Sequence, residues 1–183
     1  MEVVTKDRCR EVYTIGHSNR SLESFISTLI FYRIEYLVDV RRFPTSRKYP
    51  HFSKEVLEIE LRRRGIEYLW LGEGLGGYRK LPRGTELHVR DELSRGFLAY
   101  VYHMRTEVFR VYFQKLLEVI GSYRTAIMCS EKIPYRCHRK LLSDLLTLLG
   151  YRVVHIIDRG TTMDHRLTRY SRLIRDFVHE FST

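Results

Sequence analysis

The sequence predicts a single three-layer α/β domain over residues 1–183, with a mostly parallel five-stranded sheet between helices. Short β-branched and aromatic segments alternate along the chain with longer segments whose apolar residues recur at helical spacing. This alternation is typical of a parallel sheet whose right-handed crossovers cover both faces. A chain of 183 residues is long enough to bury an apolar core without disulfides. We expect the strand order 3-2-1-4-5, which is a Rossmann-like open sheet.

The first three strands are predicted at 12–15, 36–40 and 66–71. One helix is expected after Ser21 and another after Ser53, because a serine hydroxyl accepts hydrogen bonds from the free N–H groups of a first helical turn. Apolar residues continue from both serines at helical spacing. The segment before Ser53 contains two prolines and several basic residues, which predicts a long loop.

The second half of the chain begins with a glycine-rich loop and then continues with alternating elements. Glycines are expected at turns and helix ends because they adopt left-handed conformations without a steric penalty. The predicted elements are helices at 86–95 and 103–120 joined by a turn at Gly96, a strand at 125–129, a helix at 137–149, a strand at 153–157 and a last helix at about 164–181.

The composition excludes several classes of protein. Hydrophobic residues make up 44% and charged residues 30% of the chain, which is not the composition of a disordered or fibrous protein. No apolar run reaches the ~18 residues of a membrane span, and no apolar stretch of signal-peptide length precedes the first strand. Three cysteines are an odd number and too few for a disulfide scaffold, so we expect the reducing cytoplasm.

The chain is strongly basic, with a formal net charge of +10 and 25 arginines among its 32 basic residues. The planar guanidinium group suits phosphate and carboxylate, so this balance fits an anionic small molecule or a nucleic acid as partner. A solvated charged surface would explain the same excess without a partner. The chain also holds one Asn and one Gln, and scarce amides beside abundant charge are typical of thermophilic proteins.

The candidate site lies at the carboxyl ends of the strands, where open parallel sheets bind ligands and the strand order reverses. In the expected order this point lies between the first and fourth strands. The candidate catalytic residues are His17, Cys129, Glu131 and Cys137. The candidate binding residues are Ser18, Asn19, Arg20, Asp39, Arg41, Arg42, Gly76, Gly77, His138 and Arg139. We expect one pocket to be lined by His17, Asn19, Glu131 and His138.

Four segments form an ordered set of motifs, with the sequences YTIGHSNRSLESF, LVDVRRFPTSRKYPHFS, LGEGLGG and MCSEKIPYRCHR. Together they resemble the domain-of-unknown-function family numbered 488, over about residues 12–158. The family is defined by a Cys-x-Glu…Cys-His-Arg element, which this chain matches at Cys129, Glu131, Cys137, His138 and Arg139. The resemblance implies a cytoplasmic α/β protein and no particular reaction, so the expected chemistry rests on the residues themselves.

Cys137 is a candidate for a reactive side chain. It lies where a helix is predicted to begin, and the free N–H groups and dipole of a helix N-terminus lower the pKa of a thiol. The flanking Arg136 and Arg139 act in the same direction, so we expect Cys137 to be alkylated faster than Cys9. The alternative is a buried structural cysteine whose neighbours cap the helix.

The remaining catalytic candidates also have alternative roles. Cys129 ends a predicted strand, where it is either a nucleophile or a packing residue, and it could form a reversible disulfide with Cys137. Glu131 or His17 would serve as the acid or base. Asn19 would bind a ligand or cap the following helix.

A metal site is a competing use of the same residues. Cys129, Cys137, His138 and His17 could supply four ligands, but their spacing is not a usual zinc spacing. We therefore predict neither a metal nor another cofactor.

The expected anion clamp combines Arg41 and Arg139 with loop amides. Arg139 and the N–H groups beside it are expected to bind phosphate, because charge and helix dipole act in the same direction there. The competing interpretation pairs Arg139 with Glu131 or Asp158 as a structural tie. For Asp39, we expect a structural ion pair with a neighbouring arginine as the alternative to ligand binding.

These residues favour an enzyme that acts on a phosphate-bearing substrate, either a nucleotide or a nucleic acid. Two alternatives remain open at the level of sequence. One is a nucleic-acid-binding module without catalytic activity, for which the arginine surface would be the footprint. The other is a redox sensor based on the cysteines.

Overall fold

The computed structural model of the protein describes residues 10–45, 47–83 and 94–181. Its elements are β1 (Glu11–Gly16), α1 (Leu22–Phe31), β2 (Tyr36–Asp39), α2 (Lys54–Arg62), β3 (Glu67–Trp70), α3 (Gly72–Leu75), α4 (Arg95–Met104), α5 (Glu107–Ser122), β4 (Thr125–Cys129), α6 (Arg139–Leu148), β5 (Arg152–Asp158), β6 (Thr161–Asp164) and α7 (Ser171–Arg175). Among these helices, none is long and apolar enough to cross a membrane.

The strands form a six-stranded, mostly parallel sheet in the order β3-β2-β4-β1-β5-β6. The predicted α/β class is confirmed, but the predicted order 3-2-1-4-5 is wrong because β4 lies between β2 and β1. The connections from β1 to β2 and from β4 to β5 each pass over one strand. The periodicity of a segment identifies a strand, but a helical crossover allows either the next strand or the one beyond it as neighbour.

The helices cover both faces of the sheet, as expected for right-handed crossovers. The chain moves in one direction from β1 through β2 to β3, which places α1 and α2 on one face; Phe25 and Leu57 belong to the core there. It then returns in the other direction through β4 to β5, which places α5 and α6 on the opposite face, where Phe113 and Leu145 are buried. The central strand β4 is buried along its whole length.

The last part of the chain differs from the predicted helix at 164–181. A sharp turn at Gly160, which has a φ of +75°, reverses the chain into β6, and β6 pairs antiparallel with β5. A short α7 and a 3₁₀ turn at Val178–Phe181 are the helical parts of the remainder. The β-branched Thr161 and Thr162 follow the glycine turn, and this short hairpin signal outweighs the helical periodicity.

The helical region before β4 also differs from the prediction. Most of the predicted helix at 86–95 lies outside the described residues. Gly96 is not a turn, because it lies in the first turn of α4. The break between α4 and α5 falls at Thr106, whose hydroxyl accepts a hydrogen bond from the Phe109 N–H at 3.3 Å and so caps α5.

A buried chain of hydrogen bonds joins β1, β5 and α6 to the segment after β6. The Asp144 carboxylate accepts from His165 Nε2 at 2.9 Å, so the His165 Nδ1 lone pair accepts from His155 Nε2 at 2.9 Å. His155 Nδ1 then accepts from the Thr14 hydroxyl at 2.7 Å. Burial lowers the pKa of His155 to about 3, and it therefore stays neutral and donates in this single direction.

We expect the change Asp144→Ala to destabilise the fold by about 3 kcal/mol, because it removes the acceptor of three donors, one of them buried and two part-buried. These are His165 Nε2 and the backbone N–H and hydroxyl of Thr168. Urea unfolding measures the loss. The matched control is Asp176→Ala, whose exposed carboxylate lies 3.7 Å from Arg105 and should contribute less than about 1 kcal/mol. Equal losses in the two variants would contradict this assignment.

Candidate functional site

A cavity of about 1020 Å³ opens at the carboxyl ends of β1, β2 and β4. It forms because β1 and β4 are neighbours and their pairing continues into the loops, with the His17 N–H bonded to the Cys129 carbonyl at 3.0 Å. The two loops run so close together that a Cβ atom at Gly16 would lie 1.8 Å from the Glu131 carbonyl oxygen. The cavity lining includes His17, Asn19, Glu131 and His138, so the structure brings together the four residues expected in one pocket.

Three side chains at the cavity wall, Cys129, Cys137 and His138, form a compact group that we call the thiol cluster. His138 Nδ1 lies 3.9 Å from the Cys129 sulfur and 3.7 Å from the Cys137 sulfur. The other ring nitrogen, Nε2, lies 3.1 Å from the Val40 carbonyl and must donate to it. This bond fixes the orientation of the imidazole ring and turns Nδ1 toward both sulfurs.

The two thiols of the cluster have opposite pKa shifts. Burial would raise the pKa of Cys137, but the hydrogen bond from Cys129 and the adjacent His138 and Arg139 together lower it well below the usual range. The Arg139 backbone N–H also points at the Cys137 sulfur, at 3.4 Å. The hydrogen bond to Cys137 and burial raise the pKa of Cys129. The favoured charge state is therefore a Cys137 thiolate with Cys129 as its thiol donor.

The thiol cluster could also hold a metal ion. Its two sulfurs and one imidazole nitrogen all lie within 4.8 Å of one another, and they form a soft donor set suited to zinc. His17, the fourth ligand considered from sequence, is occupied elsewhere. Its Nδ1 donates to the Ser18 carbonyl at 2.9 Å, and its Nε2 accepts from Arg41 at 3.4 Å.

The same contacts make His17 a weak base. Burial and the neighbouring Arg41 guanidinium lower the pKa of His17 to about 4. Its single lone pair already faces Arg41. Of the two histidines at the cavity, His138 is the one whose free ring nitrogen faces the sulfurs, although the sequence suggested a binding role for it.

Asp39 and Arg41 form a buried ion pair, with a separation of 2.6 Å. The Asp39 carboxylate also accepts from the Tyr68 hydroxyl at 2.7 Å and from the Arg41 backbone N–H at 2.9 Å. Asp39 is thus fully buried and lies behind the cavity wall, as the structural interpretation of this residue expected. Its effect on the site is indirect, because it holds the Arg41 guanidinium against His17.

Arg139 does not form the anion clamp expected from sequence. Its side chain is 1% exposed and lies outside the cavity lining. The guanidinium donates to the Glu131 backbone carbonyl and, at 3.2 Å, to the Thr14 hydroxyl. It is therefore a structural tie, but to the main chain of Glu131 rather than to the carboxylate of Glu131 or Asp158. The sequence reveals the charge of an arginine, but it does not reveal whether the side chain points into the cavity or into the core.

Two further binding candidates, Arg20 and Gly76, contact the main chain of neighbouring segments. Arg20 donates to the carbonyls of Gly16 and Ile157 and lies outside the cavity lining. Gly76 is packed against Arg42, so a Cβ atom there would lie 2.6 Å from the Arg42 Cα atom. The remaining candidates, which do line the cavity, are Ser18, Asn19, Arg41, Arg42 and Gly77.

The cavity lining is strongly cationic. Among the described residues, a single carboxylate, that of Glu131, lines it. The cations of the lining are Arg41, Arg42, Lys48, Arg79, Lys132 and Arg136. Arg41 is neutralised by Asp39, and Lys132 lies 3.6 Å from Asp158. The other four have no carboxylate partner in the described part of the chain.

Several lining residues were missed as binding candidates from the sequence. Arg136 immediately precedes Cys137, and Arg79 follows Gly77 by two residues, so both lie next to residues that sequence reasoning did select. Tyr100 was missed because it belongs to α4, which is distant in sequence from the predicted site; its ring lies 5.2 Å from that of His138. No local signal in the sequence connects that helix to the site.

Comparison with protein-family models identifies the family of this chain. The model of the family described as "Domain of unknown function DUF488" matches residues 21–146. No curated protein and no solved structure matches the chain. The matched region contains the thiol cluster and most of the cavity lining, and it spans more than half of the 183 residues. The protein therefore belongs to the domain-of-unknown-function family DUF488.

Proposed function

We propose that the protein is an enzyme that acts on a phosphate-bearing substrate, with the Cys137 thiolate as its nucleophile. The observation that carries this proposal is the position of the thiol cluster in the wall of a cavity whose lining, within the described part of the chain, holds six cations and one carboxylate. A buried structural cysteine pair would have no need of an open cavity or of unpaired charge around it. Free thiols require a reducing compartment, and we place the protein in the cytoplasm for that reason.

The charge of the cavity favours an anionic substrate. Arg42, Lys48, Arg79 and Arg136 line it without a carboxylate partner among the described residues. Like charges held close together in a partly closed space repel one another, and an anion that enters relieves this repulsion. A phosphate group offers several oxygens to such guanidinium donors, which makes it the best fit among common anions.

The thiol cluster supplies the groups for nucleophilic attack. The Cys137 thiolate would donate its electron pair to an electrophilic atom of the substrate, and as the new bond to sulfur forms, the bond from that atom to its leaving group breaks. The leaving group departs with the electron pair of the broken bond and takes up the proton that Cys137 has lost, which is held in the meantime by His138 Nδ1, 3.7 Å from the sulfur. The Cys129 thiol stabilises the thiolate by a hydrogen bond and is the second proton donor within reach of the same space. Arg139 supports this arrangement from behind the wall.

The first test is alkylation of Cys137 in a variant in which Cys9, which lies outside the described residues, is replaced by serine. At pH 7 we expect Cys137 to react with iodoacetamide several-fold to about tenfold faster than free cysteine, because free cysteine is only a few per cent thiolate at that pH. The negatively charged iodoacetate should gain a further advantage from the cationic lining. Peptide mass spectrometry assigns the modified residue.

Two variants at Cys129 serve as matched controls. Cys129→Ser keeps a hydrogen-bond donor beside Cys137 and should retain most of the alkylation rate, whereas Cys129→Ala removes the donor and should slow it. If Cys137 reacts no faster than free cysteine in all three backgrounds, it is a structural residue and the proposal fails.

The second test is binding of inorganic phosphate. We expect phosphate to raise the melting temperature and to slow alkylation of Cys137, because it would occupy the cavity. Arg136→Gln should weaken this protection about tenfold, which corresponds to one charge-assisted contact of roughly 1.5 kcal/mol. Arg62→Gln, on the exposed surface of α2, is the control and should leave protection unchanged. Equal effects of the two variants would argue against an anion site.

A second candidate function is a metal centre at the thiol cluster, favoured by the three donor atoms within 4.8 Å of one another. The bond from His138 Nε2 to the Val40 carbonyl is the kind of outer contact that orients a metal-bound histidine. If this candidate is correct, the purified protein should carry one equivalent of zinc that is lost in Cys137→Ser, as measured by elemental mass spectrometry. Rapid alkylation of a zinc-free protein supports the thiolate instead.

The same kinds of experiment distinguish the proposed enzyme from the two alternative functions considered from sequence. A nucleic-acid-binding module without catalytic activity would show steep salt dependence spread over many arginines and no effect of Cys137→Ser on its function. A redox sensor would form a Cys129–Cys137 disulfide with mild oxidants, and iodoacetate would offer no advantage over iodoacetamide.

A further inference from the structure

Two aromatic rings at the cavity are exposed to an unusual degree. Phe43 is 65% exposed and Tyr78 is 87% exposed, and both belong to the cavity lining. Their ring centroids are 6.4 Å apart, with an angle of 39° between the planes. We call Phe43 and Tyr78 the aromatic rim. Large apolar rings that face solvent at the edge of a cavity indicate a binding surface more often than isolated exposed rings elsewhere do.

The main chain of the aromatic rim is held in a costly conformation. Tyr78 has a φ of +56°, in the left-handed region that side chains with a Cβ atom rarely adopt. The Arg42 guanidinium maintains it by donating to the Tyr78 carbonyl at 3.1 Å. The same guanidinium lies 5.7 Å from the centre of the Phe43 ring. Arg42, which has no carboxylate partner among the described residues, thus contacts the Phe43 ring and the main chain of Tyr78.

The aromatic rim is connected to the thiol cluster over a short distance. Gly77, the neighbour of Tyr78, lies so close to His138 that a Cβ atom there would be 3.0 Å from Nδ1. On the other side, Phe43 follows by three residues Val40, whose carbonyl holds the His138 ring. Three residues span at most about 11 Å. A ligand about as long as this distance can therefore contact the aromatic rim and the thiol cluster at the same time.

We propose that the aromatic rim is a stacking site for a nucleobase, so that the substrate is a nucleotide whose phosphate lies among the cations of the cavity. This inference rests on the proposed function and names its substrate class. A base has a π-face that stacks on aromatic rings and on guanidinium planes, and the attached phosphate explains the unpaired cations. A sugar phosphate would use the cations but not the rings, and an apolar ligand would use the rings but not the cations.

The test compares two ligands that differ in the base alone. Calorimetric titration of adenosine 5′-monophosphate and ribose 5-phosphate should show that the nucleotide binds roughly tenfold or more tightly, because one base stacked on protein aromatics contributes that much. Tyr78→Ala and Phe43→Ala should each reduce this preference and leave the affinity for ribose 5-phosphate unchanged. Tyr78→Phe should preserve it, because stacking does not use the hydroxyl group.

Two further variants control for a non-specific effect of removing a tyrosine and for a loss of stability. Tyr123→Ala removes another exposed tyrosine, which contacts Tyr36 at the amino-terminal end of β2 and so lies at the far edge of the sheet; it should leave both affinities unchanged. Tyr78→Gly should relieve the left-handed strain, so we expect the same or a higher melting temperature together with a lost preference for the nucleotide. Loss of stability in that variant would show that Tyr78 is held in place for packing, which would overturn the proposal.

The outcomes separate this inference from the proposed function. Equal affinities for the nucleotide and ribose 5-phosphate overturn the stacking site but leave the phosphate-binding enzyme intact. If neither ligand nor inorganic phosphate binds, the proposed function fails and this inference fails with it. A short single strand tests the source of the nucleotide: binding much tighter than that of the monophosphate, with a steep salt dependence, identifies a nucleic acid, and equal binding identifies a free nucleotide.

Discussion

The parallel pairing of β1 with β4 is the constraint on which the candidate site depends. It places the two most buried strands side by side and continues beyond their ends, where the Ser18 N–H donates to the Ser130 carbonyl at 2.8 Å. Only glycine at position 16 permits this approach, since a Cβ atom there would overlap the Glu131 carbonyl oxygen. From this contact follow the position of Cys129 at the cavity wall and the path of the loop that returns to Cys137.

Several arginines near the cavity hold the surrounding loops by donating hydrogen bonds to backbone carbonyl groups rather than to carboxylates. Arg42 donates to Tyr78, Arg79 donates to Gly76 and Glu73, and Arg139 donates to Glu131, in each case at a backbone oxygen. A carbonyl accepts a hydrogen bond without cancelling the charge of the donor. The same bonds that shape the loops therefore leave positive charge at the cavity, and this charge supports the proposal that an anion binds there.

Sequence reasoning identified the parts of this site better than their arrangement. Each predicted strand of the parallel sheet lies within one residue of the observed bounds, because short runs of β-branched and aromatic residues are a local signal. The strand order was wrong because neighbours are chosen by packing across the whole sheet. The pocket was nevertheless anticipated, since the β1 and β4 loops are adjacent in either order. A structural tie by Arg139 was one of two interpretations from sequence, but its main-chain partner and the role of Tyr78 were not predicted, because they depend on the direction of a side chain and on a single backbone angle.

The charges around the thiol cluster also bear on what it holds. The charge of a divalent metal ion bound by Cys129, Cys137 and His138 would be neutralised by two thiolates. However, the positive charge of Arg139, which is buried behind the cavity wall, already interacts with the Cys137 thiolate. Each added positive group repels a metal ion from the sulfurs. The same positive group stabilises the thiolate form of a cysteine and attracts an anion. The surroundings therefore support the proposed thiolate and anionic substrate over a metal ion. The bond from the His138 ring to the Val40 carbonyl keeps Nδ1 facing the Cys137 sulfur in a fixed position.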